Sequence, residues 1–403
     1  MRNSVPPPRN FRRVALLAHR YFGLFLGLFL LVAGLTGALL AFYQELDATL
    51  NPQLYRVTPP QPGAALLEPF ELERRVDGQP GGERLEREVR FDAEPGRPIQ
   101  RWMEVAPDKW REVFIDPYTG ARLGERDWGH LSEGIALNLM PFVYRLHYSL
   151  ALDSVGTALF GVVALLWTVD CFVGAYLTFP APLQAGGQRA SWLRRWLPSW
   201  RLRTGKLFSL VFSWHRASGL WLWAVLLVFA WSAVGLNLHA VYRPVMATLW
   251  GFEDGTHERL PQLTRPYPEP RLSLREAHAR GQWLMAEHAR SRGFVIRRER
   301  ALSHHADHGA YAYTVESSLD ISSRSAQTAV YFDADSGRLL GFDAPTAISA
   351  GNTLTSWLYA LHFAAVGGVW YRGFVSLMGL CVATLSMTGV WIWWRKRARR
   401  AHV

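Results

Sequence analysis

Four histidines carry the first chemical signal in this chain. His19 opens one apolar run with His19-Arg20-Tyr21-Phe22-Gly23-Leu24, and His215 opens another with His215-Arg216-Ala217-Ser218-Gly219-Leu220. Both read His-Arg-x-x-Gly-Leu. His147 ends Tyr144-Arg145-Leu146-His147 and His362 ends Tyr359-Ala360-Leu361-His362; a further apolar run follows each, with Gly174 and Gly389 at the same spacing from their histidine. Ionisable side chains in or beside a membrane span are costly to bury and are usually functional. Imidazole is also the common axial ligand of haem iron. A bis-histidine haem b needs two imidazoles from different helices at one depth, and the repeat supplies two such pairs: His19 with His215, and His147 with His362. For one interfacial histidine a satisfied helix-end imidazole is the better reading. Four in two matched pairs favour two haems b, with iron held by His19, His215, His147 and His362.

The neighbours of these histidines leave alternatives open. His19, Gly23 and Gly27 follow i, i+4, i+8, and Gly34 extends the stripe; small residues there admit a flat macrocycle, but taken alone the pattern reads as helix packing. Arg20 and Arg216 suit haem propionates as well as they suit lipid phosphate. His239 ends the third apolar run and breaks the repeat, since Tyr43 stands at the corresponding place. Substitute ligand, substrate contact and ordinary interfacial histidine are its three readings, the last two preferred. His304-His305-x-x-His308 could bind a transition metal, although Ser303 and Gly309 beside it suggest an exposed loop. Asp170 sits deep in an apolar run, where an acid is expensive unless paired, and its partner is not evident.

The elements that must position these groups are membrane helices. The 403 residues are 49% hydrophobic and include 18 Trp. Four apolar runs, near 14–42, 157–179, 207–238 and 374–394, are long enough for a hydrocarbon core of about 30 Å. Of the +11 net charge, the excess basic residues concentrate in 1–13, 181–208 and 395–403, which hold no acid, and the remainder is net negative. Basic residues confined to short segments beside apolar spans orient a membrane protein; they do not call for nucleic acid. Both termini and the 181–206 loop are therefore expected in the cytoplasm. The two cysteines, Cys171 and Cys381, lie in apolar runs and form no disulfide framework. There is no CxxCH, and no dinucleotide or ATP motif, so electrons must come from quinol or a separate reductase.

The expected fold is a mainly α membrane protein with four transmembrane helices in two repeated helix–domain–helix units. Its segments are 1–43 (N-terminus and first helix), 44–140 (first outer domain), 141–180 (approach and second helix), 181–206 (basic loop), 207–242 (third helix), 243–355 (second outer domain) and 356–403 (approach, fourth helix and basic tail). Each outer domain reads as a small α+β module. Glu112–Ile115 runs into Asp116-Pro117-Tyr118-Thr119-Gly120, and Ala329–Phe332 into Asp333-Ala334-Asp335-Ser336-Gly337, both with hairpin chemistry. Leu274–Ala289 reads as an amphipathic helix.

The ordered set His19-Arg20-x-x-Gly23-Leu24, Thr36-Gly37, Asn51-Pro52, the two Asp-to-Gly turns, Leu146-His147, Leu361-His362 and Thr388-Gly389-Val390-Trp391-x-Trp393-Trp394 resembles the PepSY-associated transmembrane helix proteins. That family includes iron-regulated membrane proteins and ferric-siderophore reductases, and the resemblance covers nearly the whole chain. It implies a four-helix membrane core, two PepSY-like periplasmic domains and, as in the siderophore reductases, haem held by histidine. Tyr148 stands where the family often has Arg, and Ala217-Ser218 replaces a glycine-richer stretch.

These features lead to a bacterial inner-membrane, multi-pass, di-haem b electron-transfer protein. It would be a ferric-chelate reductase acting on a ferric siderophore or other ferric chelate at the periplasmic face, with membrane lipid around it. The rival is a non-redox PepSY membrane protein that regulates a peptidase or serves iron or siderophore transport. The topology is testable: reporters fused after Gly187 and after Gly255 are expected in opposite compartments, and a shared compartment would end the four-span arrangement.

Overall fold

The computed structural model describes residues 9–77, 87–106, 109–181, 191–265, 269–322 and 327–401, with the side chains of residues 9, 10 and 399–401 outside that description. Arg2, the Pro80-Gly81-Gly82 run and Arg189 lie outside the described residues. In chain order the first elements are α1 (Arg9–Leu40), α2 (Tyr43–Leu50), α3 (Pro52–Tyr55), α4 (Pro69–Asp77), β1 (Glu88–Arg90), β2 (Ile99–Ala106), β3 (Lys109–Ile115) and β4 (Arg122–Asp127). Then come α5 (Ile135–Ser149), α6 (Asp153–Thr178), α7 (Trp192–Trp196), α8 (Leu207–Trp221), α9 (Trp223–Asn237), α10 (His239–Trp250) and α11 (Thr256–Arg259). The last are α12 (Leu274–Arg292), β5 (Ile296–His305), β6 (Ala310–Ser317), β7 (Thr328–Asp333), β8 (Leu339–Asp343), α13 (Ala350–His362) and α14 (Gly368–Ala401). They fall into two compact units: residues 1–41, 143–242 and 367–403 form a helical unit, and residues 42–142 and 243–366 form an α+β unit.

In the helical unit, α1, α6 and α14 are each long and apolar enough to cross a membrane. The third apolar run is not one straight helix. It is the pair α8 and α9, bent by 69° at Leu222, so the number of spans is three, or four if the bent pair is one span. Ser218 and Gly219 occupy the last turn before this bend, and the Ser218 hydroxyl donates to the Trp214 carbonyl at 2.7 Å, the kind of pair at which helices kink. The Trp223 indole N–H donates to the Cys171 carbonyl at 2.9 Å, tying the start of α9 to α6. Small residues set the packing elsewhere. A Cβ on Gly34 would lie 2.5 Å from the Gly379 carbonyl oxygen, so α1 and α14 cross with glycine facing glycine. A Cβ on Gly161 would lie 2.9 Å from the Asn237 carbonyl oxygen, so α6 also approaches the end of α9 closely. Without a hydrophobic driving force between helices in lipid, such close backbone approach is what holds them together.

The α+β unit contains a five-stranded antiparallel sheet, ordered β1-β5-β6-β7-β8, and a three-stranded one, β2-β3-β4. One finding departs from the sequence reading of one module per outer segment: β1, from the first segment, pairs with β5 of the second, Val89 opposite Leu302. Val89 is fully buried in the core that Leu284, Met285, Leu302, Val330 and Phe332 build beneath α12. An apolar residue in so short a strand needs a larger sheet to cover it. The expected helix is α12, three residues longer than read. Ser273 and Glu276 cap it reciprocally and Gly293, at φ 72°, ends it. Both expected hairpins form. The Asp116 carboxylate accepts the Tyr118 N–H at 2.7 Å between β3 and β4, and the Asp333 carboxylate accepts the Ser336 N–H at 2.8 Å between β7 and β8.

A buried ion cluster joins distant parts of this unit. Arg126 of β4, fully buried, donates to Asp47 of α2 at 2.6 Å and to Glu112 of β3 at 2.7 Å, and to the Leu137 carbonyl at 2.6 Å. The Tyr55 hydroxyl and the Asn51 amide also donate to Asp47, so Asn51-Pro52 serves this cluster. Removing one partner of such a set leaves uncompensated buried charge, at a cost of about 3–5 kcal/mol. Arg126→Ala is therefore expected to lower the unfolding free energy by about that amount and Arg74→Ala, on the surface, by far less; denaturant melts of the purified chain compare them.

Candidate functional site

The helical unit holds an open-mouthed cavity of about 650 Å³, and both His19 and His215 line it. Their ring centres are 6.3 Å apart. Two imidazoles on one metal, each nitrogen about 2 Å from it, place their ring centres roughly 6 Å apart. The structure thus brings together, from α1 and α8, the pair that the repeat singles out.

Each ring is held on its other nitrogen. His19 Nδ1 lies 2.9 Å from Asp170 Oδ1 on α6, and a carboxylate only accepts, so the proton sits on Nδ1. His215 Nδ1 lies 3.0 Å from the Thr388 hydroxyl on α14. That hydroxyl has one proton, donated to the Thr384 carbonyl at 2.8 Å, so it accepts from His215 Nδ1–H. His147 follows the same rule: Nδ1 is 3.0 Å from the Thr36 hydroxyl, whose proton goes to the Val32 carbonyl at 2.7 Å. All three rings therefore keep the Nε2 lone pair for a ligand, the tautomer and support found behind metal-bound histidines.

A glycine makes room for each ring. A Cβ on Gly174 would stand 3.4 Å from His19 Cε1, one on Gly389 3.3 Å from His215 Cε1, and one on Gly37 3.0 Å from His147 Cε1. Thr36-Gly37 and Thr388-Gly389 each do two things for one imidazole: the threonine accepts its proton and the glycine takes its edge. Asp170 and Gly174, one helical turn apart, do this for His19. The sequence reading named these glycines but assigned no role to Thr36, Thr388 or Asp170. The recurring Thr-Gly pair was the signal available.

The cavity walls are suited to a large, flat, partly anionic group. Leu26, Leu30, Trp167, Trp223, Leu226 and Val382 are apolar. Gly23 and Gly219, both lining it, have nothing within 4 Å of an added Cβ, so their missing side chains leave open space. The glycine stripe of α1 thus divides: Gly23 and Gly27 line the cavity, while Gly34 packs against α14. Arg12, Arg13, Arg20, Arg216 and Lys396 also line it, and among the described residues Asp170 is the only acid that does. Arg216 donates to the Pro198 carbonyl at 2.7 Å, while its buried Nε has no hydrogen-bond partner among the described residues. A buried guanidinium nitrogen left unpaired at the rim fits an anionic substituent such as a propionate.

The remaining candidates lie elsewhere. His147 belongs to the helical unit, whereas half-buried His362, at the end of α13, belongs to the α+β unit, where its ring is 5.7 Å from that of Phe363. His239 is exposed at the start of α10. The His304-to-His308 stretch is not the exposed loop expected from its flanks. His304 and His305 end strand β5, and His304 is buried against Tyr311, because strand alternation turns successive side chains to opposite faces. The His257 ring meets those of His305 and His308 at 5.0 and 4.7 Å. Burial pushes the His304 and His305 imidazoles down to about 4, the nearby histidines adding to this at His305. Among the described residues no group of three or more His, Cys, Asp or Glu is placed to hold a metal ion.

The tautomers can be read directly. In nitrogen-15 spectra of the chain purified without metal or cofactor, His19, His147 and His215 should all carry the proton on Nδ1; protonated Nε2 in any of them would contradict the hydrogen-bond network.

A search of curated proteins finds no match to this chain. The family model of the PepSY-associated TM region matches residues 16–396, a span that contains every histidine discussed above. With apolar helices long enough to span a bilayer and that match along nearly its whole length, the chain is a membrane protein and belongs to the PepSY-associated TM region family.

Proposed function

We propose that this protein moves electrons through the bacterial inner membrane to ferric iron held in a siderophore or other chelate at the outer face, using haem b bound to its histidines. The observation that carries the reading is the His19–His215 pair: two imidazoles at metal-bridging spacing, each fixed through Nδ1, facing one cavity. Haem supplies a one-electron Fe(III)/Fe(II) couple. The chain supplies the rest. His19 and His215 would hold the haem iron, with Asp170 and Thr388 orienting their rings. Gly23 and Gly219 leave room for a macrocycle, the apolar walls suit its faces, and Arg20 and Arg216 line the cavity where propionates would reach them. His147 is prepared by Thr36 and Gly37 in the same way, and the sequence repeat names His362 as its counterpart for a second haem.

One electron delivered to a ferric chelate gives Fe(II), which hard oxygen ligands hold less tightly, so the metal is released. The carrier gives up that electron and returns to its oxidised state. Quinol or a separate reductase then restores it. The basic segments support a topology with both termini in the cytoplasm; the α+β unit would then face the periplasm, where a chelate too polar for lipid can arrive.

The purified chain is expected to show a Soret band that shifts on dithionite reduction, and ferric chelate is expected to reverse the shift with Fe(II) appearing in an indicator. His19→Ala, His215→Ala, Gly23→Leu and Gly219→Leu should each remove one haem, the leucines by filling the open space. His147→Ala should remove the other, and His239→Ala neither. Absence of any haem from the wild-type chain would favour a non-redox role; haem that no chelate reoxidises would leave electron transfer with a different acceptor.

A further inference from the structure

We propose that Asp170 is a positioning residue that gives the His19–His215 site the lower reduction potential of the two, so that electrons leave it readily. This inference rests on the haem reading above. Asp170 is 9% exposed within α6, and its one hydrogen-bond partner among the described residues is His19, at 2.9 Å across to α1. An acid so placed in an apolar helix is costly unless it is paired.

The fold itself does not require a charge there. His215 and His147 are held equally well by the neutral hydroxyls of Thr388 and Thr36. The repeat sharpens the contrast. Leu385 follows His362 at the spacing at which Asp170 follows His147, so the two halves differ where the carboxylate stands. What the carboxylate adds to a hydroxyl is negative charge. A carboxylate accepting Nδ1–H raises the basicity of the ligating nitrogen, and in a low-dielectric wall its charge favours the more positive state of a metal ligated by that ring. Both effects stabilise Fe(III) over Fe(II) at the His19 site. The hydroxyl behind His147 exerts neither.

The test is a spectroelectrochemical titration of the full chain with haem as purified. Asp170→Asn keeps a carbonyl to accept Nδ1–H and removes only the charge. It is expected to shift the Fe(III)/Fe(II) preference of one haem at least tenfold toward Fe(II), which is 59 mV upward for one electron. Asp170→Glu should return most of that shift. Asp170→Ala, which also removes the acceptor, should weaken haem retention about 10–100-fold. An unchanged midpoint in haem-loaded Asp170→Asn would overturn the inference. Should that variant not fold, the wild-type titration decides: two waves are expected, and His147→Ala should remove the more positive one. Loss of the more negative wave would overturn the inference. A wild-type chain with no haem would instead overturn the reading on which it rests.

Discussion

An imidazole inside an apolar helical bundle has two polar nitrogens and no water to satisfy them, and the helical unit is arranged around that constraint. One nitrogen of each ring must be met by a fixed acceptor, and the ring's edge must fit between helices. Asp170, Thr388 and Thr36 meet the first need for His19, His215 and His147, and Gly174, Gly389 and Gly37 the second. The acceptor always comes from a helix other than the ring's own, so each histidine also fixes the register of two helices. What remains is one lone pair per ring, unspent and directed by the same contacts.

The glycines of α1 show how one pattern serves two ends. Gly34 lies against the backbone of Gly379, a contact that any side chain would break. Gly23, three turns earlier on the same helix, faces open space beside the histidine pair. Tight crossing at one level and separation at another make a cavity between helices that are otherwise closely packed. The bend between α8 and α9, anchored by Trp223 on α6, belongs to the same arrangement, since Trp223 is also a cavity wall.

The α+β unit solves its own burial problem with charge. Asp47, Arg126 and Glu112 lie on three elements far apart in sequence and are buried together. Such a cluster is no more stable than good apolar packing would be, but it tolerates only one mutual placement of α2, β3 and β4. In the five-stranded sheet the joining is apolar: Val89 of β1 enters the core of the second outer segment.

Much of this was legible in the order of residues. Apolar length marked the spans, since crossing hydrocarbon demands it, and the Asp-to-Gly turns and α12 followed from local chemistry that acts within a few residues. The repeat marked His19 and His215 as a pair because duplication preserves what both halves need. Tertiary structure decided what depends on residues distant in sequence. Asp170 had no visible partner until α6 lay beside α1, and Thr36 and Thr388, although marked by the recurring Thr-Gly pair, had no role until a ring from another helix reached them. The Ser218-Gly219 pair permits a bend near Leu222 but does not set its 69°, and β1 reads as polar loop because three residues show no period and its partner strand lies more than two hundred residues away. Local propensity is written in neighbours; hydrogen-bond partners and cavities are written only in the packing of elements against one another.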